Sequence, residues 1–144
     1  MKKLRDIMTT DVEICKPEDN VFEAAVKMKE HDCGAIPICE GKQLMGMITD
    51  RDIVIRGVAE KRPNSTQVTE IMTERLLTAE PDMTVDEAAK IMADKQIRRL
   101  PVVENNQLVG IVALGDLAVH RTTDEIAGYA LSEISESEQE HYYH

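Results

Sequence analysis

The residues best suited to chemistry close the run GMITDRD, where Thr49 and Asp52 stand three apart, and reappear altered in GIVALGD, where Ala113 replaces the threonine and Asp116 keeps the carboxylate. Thr49 sits where an apolar, strand-like run gives way to a helical pattern, beside free N–H groups and the positive end of a helix dipole. That corner attracts phosphate. Asp52 lies about one turn on, and an ionised carboxylate, which accepts at both oxygens, can hold a diol. Thr-x-x-Asp is equally a capping pair, with the hydroxyl satisfying a backbone N–H and the carboxylate favoured in the first turn. Arg51 and Arg56, near the same helix start, are weaker candidates for contact with such a ligand, and a solvated face would account for both.

The two runs belong to a duplication. A displacement of 64 residues aligns Asp6–Ile53 with Glu70–Leu117 without a gap: Ile7-Met8-Thr9 falls on Ile71-Met72-Thr73, Glu23-Ala24-Ala25 on Glu87-Ala88-Ala89, and Pro37 on Pro101. In each copy an N-cap candidate, Asn20 or Thr84, precedes a Glu by three residues. Apolar side chains then recur at helical spacing through Val21, Ala24, Ala25 and Met28, or Val85, Ala88, Ala89 and Met92. Two short apolar runs follow, Ala35–Cys39 and Leu44–Thr49 or Leu100–Val103 and Leu108–Ala113, separated by turn residues and read as hairpins. Asp50–Ala59 and Leu114–His120 read as helices. Each copy therefore runs short strand, helix, strand, strand, helix, an α/β (α+β) unit.

A unit of about 60 residues buries only about 60% of its surface, so two such units stacked sheet to sheet would cover each other's bare face. The expected division is residues 1–60 for the first unit, 61–69 for the linker and entry to the second, 70–121 for the second, and 122–144 for a C-terminal helix and acidic tail. A capping box at Thr122–Glu125 would open that helix.

Composition narrows the function classes. The chain of 144 residues carries a formal charge of -10, with no basic cluster to meet a nucleic-acid backbone. Aromatics make up only 3%, so the core rests on aliphatic residues and methionine. No apolar run reaches the ~20 residues of a membrane span and the start lacks a secretory pattern, which leads us to expect a soluble cytoplasmic protein. Hydrolase, phosphate-loop and zinc-protease motifs are absent, so no enzyme is expected. His31-Asp32-Cys33 with Cys39 falls short of a structural zinc set. Buried cysteines are the commoner outcome, although Cys15 and Cys39 would form a redox-sensitive pair if their strands are neighbours.

A tandem of units, each with a D/E-I-M-T start, a capped Ala-rich helix, an apolar-Pro-apolar strand and a G-h-h-T-x-x-D turn, resembles the paired CBS domain, or Bateman module, over residues 4–119. The resemblance implies two β-α-β-β-α units related by a pseudo-twofold axis and usually dimerising into a four-unit disc. It also implies a regulatory ligand with an adenosyl group, such as AMP, ADP, ATP or S-adenosylmethionine, in the cleft between units. By the same likeness Thr49, Asp52 and Asp116 are ribose or phosphate contacts, and Arg98-Arg99 matches a stretch whose basic residues bind phosphate. Val12, Ile36, Leu76 and Leu100 would form the adenine wall, with the backbone at Pro37 and Pro101 reading the base edge; each of these could equally be core. No metal, no required cofactor and an unidentified protein partner complete the expectation. The alternative is a structural or interaction module with degenerate clefts, or a metal- or redox-responsive stress protein.

Overall fold

The computed structural model describes residues 2–119; the capping box at Thr122–Glu125 and the acidic tail lie outside the described residues. After a single turn, α1 (Leu4–Ile7), the long helix α2 (Val21–His31) starts where its cap places it. Asn20 Oδ1 accepts the Glu23 N–H at 2.8 Å, and Glu23 Oε1 accepts the Asn20 N–H at 3.3 Å. Such a box satisfies two donors that the first turn leaves without partners. The strands β1 (Ala35–Glu40) and β2 (Gln43–Thr49) pair antiparallel with Ile36 opposite Ile48 and Ile38 opposite Gly46. A bulge then brings Cys39 opposite Leu44.

The chain turns directly from β2 into α3 (Asp50–Asp52), widens into a π turn over Ile53–Gly57 and tightens into a 3-10 turn over Val58–Glu60. The helix expected over 50–59 is thus present in extent but irregular in pitch. In the second copy, Thr84 Oγ1 accepts the Glu87 N–H at 3.2 Å to open α4 (Val85–Lys95). Neighbouring strands β3 (Arg99–Glu104) and β4 (Gln107–Ala113) follow, then α5 (Leu114–Ala118). Asn105 and Asn106, at φ 53° and 63°, make the β3–β4 turn; asparagine tolerates the left-handed region that a two-residue hairpin requires.

The compact units do not follow the repeat boundaries. One comprises the described residues up to Asp11, Leu77–Asn105 and the chain from Val109; the other comprises Val12–Leu76 with Asn106–Leu108. The lead-in before each copy is built into the unit that carries the other copy's hairpin. Leu4 donates its N–H to Met83 O at 2.9 Å, Val85 donates to Lys2 O at 3.1 Å, and the fully buried Leu4 side chain joins Val85, Met92, Leu100 and Leu117 in one core. In the other unit Val68, which aligns with Leu4, donates to Asp19 O at 2.9 Å, and Val68, Ile71 and Met72 share a core with Ala24, Ile36 and Ile48. The backbone of a lead-in needs hydrogen-bond partners and its apolar side chains need cover, and a repeat alignment marks where a copy begins without saying which body supplies them.

Candidate functional site

In the unit carrying the first hairpin, Thr49 is extended (φ -115°, ψ 162°) and ends β2. Its Oγ1 accepts the Asp52 N–H at 3.0 Å, while Asp52 Oδ2 accepts the Thr49 N–H at 3.0 Å. The Asp50 N–H, also at the helix start, donates to Gly34 O at 2.9 Å. Asp52 is only 8% exposed, and the Thr49 N–H holds its carboxylate at one oxygen.

The third side of this corner is the lead-in Ile71-Met72-Thr73. Met47 and Thr73 exchange backbone hydrogen bonds of 3.0 and 2.8 Å. That approach depends on Gly46, where a Cβ would stand 2.8 Å from both Met72 Sδ and Thr73 O. Arg56, from the π turn, donates through Nη1 to Met72 O at 3.0 Å and to Ile71 O at 3.4 Å. The Thr73 hydroxyl lies 3.4 Å from each Asp52 carboxylate oxygen.

The unit carrying the second hairpin repeats the frame with fewer polar groups. Asp116 Oδ2 accepts the Ala113 N–H at 3.0 Å, but Ala113 has no hydroxyl to return to the Asp116 N–H. Leu114 donates its N–H to Arg98 O at 2.8 Å, which brings the Arg98 main chain to the start of α5. Thr9 and Ile111 exchange two 3.0 Å backbone bonds, and a Cβ on Gly110 would stand 2.6 Å from Met8 Sδ. Arg98 is exposed and Arg99 half-buried.

Thr49 and Asp52 are thus in contact, and Asp116 and the Arg98 backbone meet one helix start. Arg51 is exposed, and its N–H donates to Asp50 Oδ1. Ile36 and Leu100 are completely buried in the cores, whereas Val12 and Leu76 are half-buried. The carbonyls of Pro37 and Pro101 accept the N–H groups of Cys15 and Ala79, each at 2.9 Å, and so serve the sheet. Sequence reasoning missed Thr73, whose only signal was the repeated Ile-Met-Thr, and did not foresee that Arg56, exposed as a solvated face would have it, also holds the Ile71 and Met72 carbonyls.

The segment at Cys15 does lie beside β1, the Cys39 N–H donating to Cys15 O at 2.9 Å; both thiols are free. Burial pushes the Cys15 thiol up to about 11, with nearby Lys27 pulling the other way, and burial also raises Cys39. Both are therefore thiols, not thiolates, at neutral pH. Among the described residues no three His, Cys, Asp or Glu side chains are grouped to hold a metal ion, and no helix is long and apolar enough to cross a membrane.

Two α+β units, each with a strand-to-helix corner closed by an aspartate, define the class of protein. Residues 4–57 and 68–121 match the CBS domain, and the chain belongs to that family. It is 49% identical over 148 residues to the uncharacterized protein YlbB of Bacillus subtilis (strain 168), covering 100% of both chains. The crystal structure of Hypoxic Response Protein I with two coordinated zinc ions is similar at a TM-score of 0.76 and 37% identity, over 83% of this chain and 98% of that one. The CBS domain pair of MJ0100, solved in complex with 5′-methylthioadenosine and S-adenosyl-L-methionine, is similar at 0.72 and 30%, over 83% and 94%.

Proposed function

We propose that the chain is a non-catalytic regulatory module that binds an adenosine-containing ligand and signals by a change of conformation. The observation that carries this reading is the Asp52 corner: a buried carboxylate, fixed by the Thr49 N–H at one oxygen, whose other oxygen has, among the described residues, only the long Thr73 contact. A ribose diol offers the donors that such an acceptor lacks, and the MJ0100 pair, a relative in fold and sequence, holds adenosyl compounds. Thr49 and Asp52 are the ribose or phosphate contacts, with half-buried Val12 and Leu76 the apolar surface of this unit left for a base. Asp116, with Arg98 and Arg99 nearby in the chain fold, makes an unequal second site in which the arginines meet phosphate. The working form is a cytoplasmic homodimer in which the ligand shifts the hold on a protein partner. Such a shift can be no larger than the ligand's differential affinity for the two states.

Calorimetric titration with AMP, ADP, ATP and S-adenosylmethionine tests the reading, and no heat with any of them at millimolar concentration sinks it. Hydrogen bonds to a charged group contribute about 1.5–3 kcal/mol, so Asp52→Ala is expected to weaken binding roughly tenfold to a hundredfold. Unchanged affinity in a folded Asp52→Ala protein moves the ligand to the Asp116 corner.

One observation favours a second reading, a structural or interaction module. The Thr49–Asp52 exchange is a complete capping box, and Asp116 is kept where the hydroxyl is lost, as capping alone would permit. A partner captured equally well with and without nucleotide selects that reading.

A further inference from the structure

We propose that Thr73 is a positioning residue for the Asp52 carboxylate, and that the lead-in segment Ile71–Thr73 is the element that registers occupancy of that corner. The inference rests on the adenosyl-ligand reading for its regulatory consequence, but its positioning claim concerns the free protein and stands or falls separately.

Three independent contacts fix the segment against the corner. The two Met47–Thr73 backbone bonds set its register, Gly46 lets the Thr73 carbonyl come closer than any side chain would allow, and Arg56 holds the two preceding carbonyls from the helix side. Arg56 follows Asp52 by four residues, so one helical stretch touches the lead-in at the Thr73 hydroxyl and at the Ile71 and Met72 carbonyls. At 3.4 Å from both oxygens the hydroxyl is shared and loose, since an O–H···O bond is ordinarily about 2.7–2.8 Å. Among the described residues it is the one hydrogen-bond donor to Oδ1, the oxygen that the Thr49 N–H does not use. A ligand hydroxyl that takes one Asp52 oxygen leaves Thr73 a single oxygen to serve, so binding turns a shared contact into a directed one and draws Thr73 toward the helix. Thr73 leads into Leu76, where this unit ends, and the chain then runs into the other unit at Leu77. Occupancy of one corner is thereby passed along the backbone to the segment joining the two units.

The test compares Thr73→Val, which keeps the shape and loses the donor, with Thr73→Ser, which keeps the donor. In ligand-free protein, amide hydrogen exchange at Thr49, whose N–H is bonded to the Asp52 carboxylate, is expected to speed roughly threefold to tenfold in Thr73→Val, the fold-change that matches one ordinary hydrogen bond. Thr73→Ser is expected to restore it, and Met47 is expected to stay protected in both variants because its bond to Thr73 is backbone only. Unchanged Thr49 exchange in Thr73→Val overturns the positioning role. Added AMP is expected to slow exchange at residues 71–77 in the wild type, and to do so less in Thr73→Val. AMP that binds without changing exchange over 71–77 overturns the relay, whereas failure of the wild type to bind any adenosyl compound overturns the ligand reading and leaves the free-protein comparison to decide the role of Thr73.

Discussion

The side chain at the strand end decides how well each helix start is held. Thr49 and Ala113 adopt nearly the same backbone, φ -115° and ψ 162° against φ -101° and ψ 151°, and each donates its N–H to an aspartate three residues on. They differ in the returning hydroxyl, and removing an N-cap hydroxyl costs about 0.5–2 kcal/mol. Thr49→Ala is therefore expected to lower the unfolding free energy by about 1 kcal/mol, and Ala113→Thr to raise it by a similar amount, both measured by denaturant titration. Equal and negligible changes would show that the hydroxyl serves no structural purpose. Cys15 offers a second comparison, because the aligned residue is Ala79. Its thiol is raised from 9.0 to about 11 by burial, so the folded state keeps a proton that the unfolded chain releases. The resulting stability is whole below pH 9 and is lost as the pH climbs toward 11. A Tm that falls over this window in the wild type, and falls less in Cys15→Ala, is the expected result.

At the scale of elements, what was legible was what is local. Asn20 with Glu23 and Thr84 with Glu87 announced two helix starts because a cap needs only residues three apart, and the apolar-Pro-apolar runs gave the hairpins for the same reason. The Thr49–Asp52 pair was equally readable as a cap. The roles of Arg56 and Thr73 were not, since they depend on a segment that arrives from some twenty residues away and leaves no periodic signal; nor was the π turn over Ile53–Gly57. Ile36 and Leu100 looked alike as core or as ligand wall, because an apolar side chain at a strand position has the same identity in either place; their complete burial comes from packing. The glycine of G-h-h-T-x-x-D admits the lead-in backbone against β2. Gly46→Ala puts a methyl group 2.8 Å from the Thr73 carbonyl, a backbone atom that cannot swing aside as the end of a methionine can. A loss of about 1–3 kcal/mol is expected, as for other overpacked sites. Exchange protection should drop at Met47 and Thr73 before it drops in α2, and uniform loss across the unit would argue against a local wedge.

At the scale of the molecule, the exchange of lead-ins predicts that neither copy, cut at its sequence boundary, folds as a unit. Residues 2–9 belong with the second copy's core. Leu4 is fully buried there, α1 and its flanks exchange backbone hydrogen bonds with Pro81, Met83, Val85 and Ile111, and Arg5 reaches Asp82 at 2.7 Å. The Arg5–Asp82 pair is exposed, and although it holds the Asp82 carboxyl below its usual range, a pair in water adds little; the apolar burial and the backbone bonds dominate. Removing Leu4 alone takes away a side chain whose truncation to alanine in a core typically costs 2–5 kcal/mol. Deleting residues 1–9 is therefore expected to destabilise the unit that holds α4, β3 and β4, far from the cut in sequence, and to leave the core of Ala24, Ile36 and Ile48 protected. Residue-resolved hydrogen exchange separates this from the plain reading of the duplication, in which trimming the N-terminus weakens the first copy. Loss of protection over residues 12–60 with 85–113 intact would establish that the lead-ins do not hold their units together, and with it would go the route proposed for Thr73.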